Sequence, residues 1–312
     1  MGCMEDENHK TISSVDIEIT KLNNVLMKMK RELVFLDGGL GNQMFQYAYA
    51  NKEEREGHKV LCCYGLLEKR KTHNGYELDR VFEGVKAKRM ILATYIVRVL
   101  YYLIIYKCSV CKTLLRALSW DFVMVEKDLE TSTSRNRFVL GYWQSWKNVC
   151  DISIFKFKEE LLSEKTKEIL QCAKSCNSVS LHVRRGDYVS SGNLNLYGGI
   201  CTHHYYEEAI RYMCEHVQKP VFYVFSNDKS WVKDNLVIPN PVYVTHNEGK
   251  NSWQDMYLMS KCKHHIIANS TFSWWGAYLN RDKQKLVVCP PKLTNRGDSP
   301  NLFPEEWIKI EG

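Results

Sequence analysis

Two adjacent arginines, Arg184 and Arg185, follow the apolar run "VSLHV" (179–183) and precede Gly186 and Asp187. A guanidinium is a planar fork of donors that takes phosphate oxygens through two charge-assisted hydrogen bonds, a geometry lysine does not share. Neighbouring side chains of an extended chain point to opposite faces, so one arginine can enter a cleft while the other pairs with protein. Asp187 can hold an arginine in place or take a proton as a general base. Two other stretches offer anion seats of a different kind. In "DGGLGNQMFQ" (37–46), Gly38, Gly39 and Gly41 permit close backbone approach, and the helix start that follows presents free N–H groups. Asn42 either caps that helix or faces a ligand, and the turn has neither the Lys-Ser/Thr of a P-loop nor the GxGxxG spacing. In "ANSTFSWWGAYL" (268–279), Ser270, Thr271 and the amides after them sit at a second strand-to-helix junction, with Trp274 and Trp275 read as helix core. "FSND" (225–228) ends a further strand at the same edge. No Asp-x-Asp pair is present to hold a divalent cation, so a diphosphate here would be neutralised by arginine and backbone amides.

These residues must be brought together by an α/β scaffold. Short apolar runs read as strands at 33–38, 59–65, 122–125, 137–143, 179–183, 221–226, 241–246, 264–269 and 285–290. Helical patterns fill 42–57, 203–217, 229–236, 252–262 and 272–280, and 88–118 reads as one long apolar helix. Strands alternating with helices predict parallel sheets covered on both faces, with ligands outside the carboxyl ends of the strands. The pattern divides somewhere between 150 and 175, giving an extension over 1–30, an N-terminal α/β domain over 31–160 and a C-terminal one over 161–312, with a cleft between the two domains.

The 312 residues are 45% hydrophobic and 25% charged, the balance of a globular chain with a sizeable core. A formal charge of +7 suits a small anionic ligand, and no basic stripe interleaved with aromatics points to nucleic acid. Twelve scattered cysteines complete no zinc pattern and read as reduced thiols in a cytoplasmic protein. The acidic, polar start "MGCMEDENHK" reads as neither a secretory signal nor a myristoylation site. The stretch "MILATYIVRVLYYLIIY" (90–106) carries Arg98 near its middle, which is costly in hydrocarbon. It reads as a buried or half-exposed helix, and the basic residues around it make 88–107 compatible with peripheral contact on the inner face of a membrane. Arg296-Gly297-Asp298-Ser299 spells an adhesion tetrapeptide, a use that requires export.

Six motifs, in order, resemble bacterial α-1,2-fucosyltransferases of glycosyltransferase family 11: "GGLGNQMFQYA", "GYWQSWK", "HVRRGDYV", "GICTHHYYEEAI", "FSNDKSWVKDNL" and "NSTFSWWGAYLN". The resemblance covers about 33–290. It implies a GT-B-type fold of two Rossmann-like domains, GDP-fucose as donor, inversion at the fucose anomeric carbon, a β-galactoside acceptor, and neither cofactor nor metal. By the same resemblance Arg184 meets the β-phosphate of GDP, with His182 and Arg185 close by. Asn42, between Gly39 and Gly41 on one side and the helix on the other, faces the pyrophosphate and fucose. Asn269, Ser270, Thr271 and Phe272 lie by the phosphates, Ser226 and Asp228 belong to the donor site, and Asp255 reads guanine. "FSND" departs from the commoner Phe-Ser-Asp-Asp, which favours Asp228 over Asn227. Arg184, Asn42 and Asp187 are the expected catalytic residues, with Asp187 as candidate base and as partner of Arg185.

Overall fold

A computed structural model describes residues 30–65, 74–106, 109–186, 188, 192–298 and 301–312. The expected extension over 1–30 therefore lies almost wholly outside the described residues, and so does Asp187. The first sheet is built from β1 (Arg31–Phe35), β2 (Lys59–Tyr64), β3 (Lys88–Arg89), β4 (Trp120–Val123) and β5 (Asn136–Val139), in the order β3-β2-β1-β5-β4. All of its pairings are parallel. Helix α1 (Leu40–Arg55) follows β1 and packs on the sheet, burying Met44, Phe45, Ala48 and Tyr49. A buried ion pair fixes the centre of this sheet. Glu32 of β1 and Arg137 of β5 face each other in register, joined at 3.0 Å, and the Tyr49 hydroxyl donates to the same carboxylate at 2.9 Å. Removing either partner would strand a buried charge, at a cost of about 3–5 kcal/mol.

The sequence predicts one helix over 88–118, and the structure divides it. Lys88 and Arg89 pair with Cys63 and Tyr64 as an edge strand, and the amide of Met90 donates to the carbonyl of Tyr64 at 2.7 Å. Helix α2 (Ile91–Tyr106) starts only after that tie, and α3 (Ser109–Ala117) is a separate helix.

Helix α4 (Glu164–Lys174) leads into the second sheet, made of β6 (Asn177–Val183), β7 (Pro220–Ser226), β8 (Pro241–Val244), β9 (His264–Ile266), β10 (Val287–Cys289) and β11 (Ile308–Lys309). Its order is β11-β10-β9-β6-β7-β8, again all parallel. Helices α5 (His203–His216), α6 (Lys229–Asn235), α7 (Trp253–Lys261) and α8 (Thr271–Tyr278) connect these strands. Leu181, Val224 and Ile266 are fully or nearly fully buried, as strands covered on both faces require. Two parallel-sheet α/β domains facing one another is the arrangement of a GT-B-type enzyme. Trp274 and Trp275 are fully buried, with Phe45 of α1 at 4.5 and 4.9 Å from their rings, so the two domains share one apolar core.

Candidate active site

Strand order locates the site before any side chain is considered. In the first sheet the chain runs outward from β1 through β2 to β3, then returns on the other side as β4 and β5. In the second it runs from β6 to β8, then resumes beside β6 as β9. Each reversal opens a crevice at the carboxyl ends of two strands, β1 with β5 and β6 with β9, where α/β sheets take ligands. The loops leaving those four strands meet in a cleft of about 1290 Å³.

From the first domain the cleft receives Gly39, Gly41 and Asn42 after β1, and Tyr142 and Gln144 after β5. Gly39 is the N-cap of α1 and has no side chain to occupy the first-turn amides. Asn42 is therefore inside the helix and is not its cap; its Oδ1 accepts from Gln144 Nε2 at 3.0 Å, tying the two loops together. Gly41 is required by proximity. A Cβ there would lie 2.7 Å from the carbonyl carbon and oxygen of Thr271 and 2.8 Å from its Oγ1. Trp275 Nε1 donates to the Gly41 carbonyl at 2.9 Å. The amino ends of α1 and α8 are thus brought together from different domains, and their dipoles and free amides favour negative charge between them.

From the second domain come His182 and Arg184 at the end of β6, Ser226 and Asp228 after β7, Asp255 on α7, and Asn269 to Phe272 after β9. The Arg184 guanidinium lies 5.5 Å from the centre of the Tyr188 ring. That ring stacks on Tyr197 at 4.3 Å, and its hydroxyl donates to the Asn269 carbonyl at 3.3 Å. His182 is buried, and its Nδ1 has no hydrogen-bond partner. Burial, and then Arg184, push its imidazole down to about 3, so it is neutral at physiological pH. Ser270 caps α8 by accepting from the Phe272 amide at 3.3 Å, while Asn269 Nδ2 donates to the Tyr197 and Leu293 carbonyls at 3.1 and 3.2 Å. Asp255 accepts from Asn247 Nδ2 at 2.8 Å, and burial pushes its carboxyl up to about 7.

Arg185, expected in the donor site and as the partner of Asp187, is not among the described residues lining the cleft. Its Nε lies 3.8 Å from Asp228 and its guanidinium 4.5 Å from the Trp231 ring centre. Asp228 in turn caps α6 by accepting from the Trp231 amide at 3.2 Å. The preference for Asp228 over Asn227 also misses a role. Asn227 Oδ1 accepts from the amides of Arg185 and Gly186 at 3.0 and 3.3 Å, holding the turn that carries Arg184.

The profile described as "Glycosyl transferase family 11" matches residues 122–311. The chain is 34% identical over 296 residues, 88% of its own length and 97% of the relative's, to an alpha-1,2-colitosyltransferase of Escherichia coli. The chain belongs to glycosyltransferase family 11. A second relative of this family 11 chain, the O-antigen biosynthesis glycosyltransferase WbnK of Escherichia coli, is 31% identical over 304 residues, covering 88% of this chain and 99% of its own. A segment of 103 residues, 32% of the chain and 28% of the relative, is 33% identical to galactoside alpha-(1,2)-fucosyltransferase 1 of Ateles belzebuth.

As a glycosyltransferase, the family 11 chain needs room for an acceptor. A second cavity of about 900 Å³ adjoins the cleft and shares Tyr142, Gln144, Arg296 and Gly297 with it. Asp37, ion-paired with Arg98, lies on its wall with Tyr101, Tyr102 and Trp143. Arg296, Gly297 and Asp298 of the adhesion-like run line this cavity. The Asp298 carboxylate accepts from the Leu293 and Thr294 amides at 2.6 and 3.0 Å, clasping the loop that presents Arg296. Among the described residues, the group whose ligand atoms could surround a metal is Glu53, Glu56 and His58. It sits at the far end of α1, about 20 Å along the helix from Gly41.

Proposed function

We propose that the protein transfers L-fucose from GDP-β-L-fucose to the 2-hydroxyl of a terminal β-galactoside, inverting the anomeric carbon to give an α-1,2 linkage. The observation that carries this reading is the meeting of two helix amino ends with Arg184 at facing switch points, in a chain of this family. Loss of the C1–O bond leaves its electron pair on the β-phosphate oxygen, and a fixed guanidinium there stabilises the transition state more than the ground state. The neutral His182 imidazole can donate a further hydrogen bond to the leaving group. Asn42 and the α1 and α8 amides hold the remaining charge, so metal is not required and chelator leaves the rate unchanged. Guanine, with N1–H and N2–H donors side by side, suits the Asp255 carboxylate. The galactoside occupies the second cavity. Its hydroxyl proton passes to a carboxylate, and two are to be compared: Asp187, three residues after Arg184, and Asp37 on the cavity wall.

A second donor is favoured by one observation. A relative that spans 97% of its own length here is named a colitosyltransferase, and colitose is fucose without its 3-hydroxyl. Purified protein should be given GDP-fucose or GDP-colitose with a β-galactoside, with and without EDTA, and the product linkage read by NMR. Fucosyl transfer to O2 in EDTA is the expected result. Turnover with GDP-colitose alone would change the donor, and a different linkage would change the acceptor hydroxyl. Donor binding without turnover on any glycan would make the protein a non-catalytic sugar-nucleotide receptor.

A further inference from the structure

Helix α2 turns an apolar face outward. Leu92, Tyr95, Ile96, Val99, Tyr102 and Leu103 are 71, 59, 47, 41, 55 and 39% exposed. Their spacing is that of a single stripe along a helix, the pattern by which a helix normally meets a core. The core side of α2 is occupied separately: Thr94 and Val97 are buried, and Arg98 and Tyr101 reach the second cavity. Val110, Leu114 and Leu118, on α3 and the turn after it, are 62, 60 and 73% exposed and carry the apolar surface on. Exposed apolar residues are ordinary when scattered, but a contiguous patch marks an interface.

The charge of the same segment narrows the partner. No Asp or Glu occurs between Glu83 and Asp121, whereas Lys86, Lys88, Arg89, Arg98, Lys107, Lys112 and Arg116 do. The whole chain has 43 Lys and Arg against 36 Asp and Glu, so these seven cations account for its entire net charge of +7. Arg98 and Arg116 are paired with Asp37 and Asp121. Lys86, Lys88 and Arg89 are exposed beside the start of the apolar stripe. An apolar face with exposed cations at its start complements an anionic bilayer, where acyl chains lie beneath phosphate headgroups. Among the described residues no helix is long and apolar enough to cross a membrane, so such a helix lies along the surface.

We infer that the α2–α3 face docks on the surface of an anionic lipid bilayer. Tyr102 belongs both to the exposed stripe and to the second cavity, so docking places the cavity mouth at the bilayer. If the proposed reaction holds, a galactoside carried on a membrane lipid reaches the site without leaving the surface.

The full-length protein should be sedimented with vesicles of phosphatidylethanolamine and phosphatidylglycerol, and separately with phosphatidylcholine alone. Partition into the anionic vesicles should exceed that into phosphatidylcholine at least about ten-fold and fall with added salt. Leu92→Ser/Ile96→Ser/Val99→Ser and, independently, Lys86→Gln/Lys88→Gln should each lose about ten-fold or more of that binding. Both variants should turn over a free galactoside at the wild-type rate, which also shows that they fold. Wild-type protein left in the supernatant with anionic vesicles would overturn the inference, whatever covers the face. A dimer in sedimentation velocity that the triple variant abolishes would assign the face to a second copy and overturn it equally. Vesicle binding is read without substrate, so a failure of the proposed reaction leaves this result intact, with folding then checked by circular dichroism.

Discussion

Asp255 offers the most quantitative test of the donor site. Its carboxyl is pushed up to about 7 by burial, from an ordinary value of 3.8, against the opposing hydrogen bond from Asn247. Only the ionised form can accept both guanine donors. With a value of about 7, about one molecule in ten is ionised at pH 6 and about nine in ten at pH 8. Affinity for the donor should therefore rise about ten-fold between those pH values and level off above them, and binding at pH 7 should release about half a proton. GDP-fucose is the suitable ligand, because both its phosphates are esterified and neither titrates in this range. Calorimetry in two buffers of different ionisation enthalpy measures the affinity and the proton together. Asp255→Asn should bind about 10- to 100-fold more weakly at pH 8, the loss of charged hydrogen bonds worth about 1.5–3 kcal/mol, and with no pH dependence. Stability should move the opposite way. A folded value above the unfolded one gives stability that is present below about 4 and lost as pH rises through about 7. The Asn variant should accordingly melt above the wild type at pH 8 and near it at pH 4. An Asp255→Asn variant that binds GDP-fucose as tightly as the wild type at pH 8 would refute the placement of guanine on this carboxylate.

Arg184→Ala should lower kcat about 10²-fold or more with little change in Tm, and Arg184→Lys should restore only part of it, as steady-state kinetics would show. Gly41→Ala places a methyl 2.7 Å from the Thr271 backbone. The two helix ends must part by about 1 Å, which should cost about 1–3 kcal/mol in a melting experiment and about 10²-fold in kcat. Asn227→Ala removes the acceptor of the Arg185 and Gly186 amides, and kcat should fall about ten-fold with the acceptor KM unchanged.

Much of this architecture is legible in the sequence because the strands of the second sheet are short, largely apolar segments separated by helical patterns, and several end in small or charged residues. The same feature brings Arg184, Ser226 and Ser270 to one edge. What escapes is whatever depends on strand order. Tyr142 and Gln144 enter the cleft only because β5 lies beside β1, and nothing in "GYWQSWK" announces that neighbour. Asn227 and Arg185 are 42 residues apart, so their bond is visible only when β6 and β7 are seen to pair. The strand Lys88–Arg89 is too short to show a period and is absorbed into the apolar run after it. Exposure is likewise unreadable from α2, whose apolar residues are numerous enough to face either way.

The Trp275 bond to the Gly41 carbonyl has a mechanical meaning. It joins the two domains at the floor of the cleft, beside the point where α1 and α8 touch. A joint so placed acts as a brace: with Phe45 packed on Trp274 and Trp275, it resists any slip of one helix end against the other. The paired helix ends therefore keep their spacing from one turnover to the next.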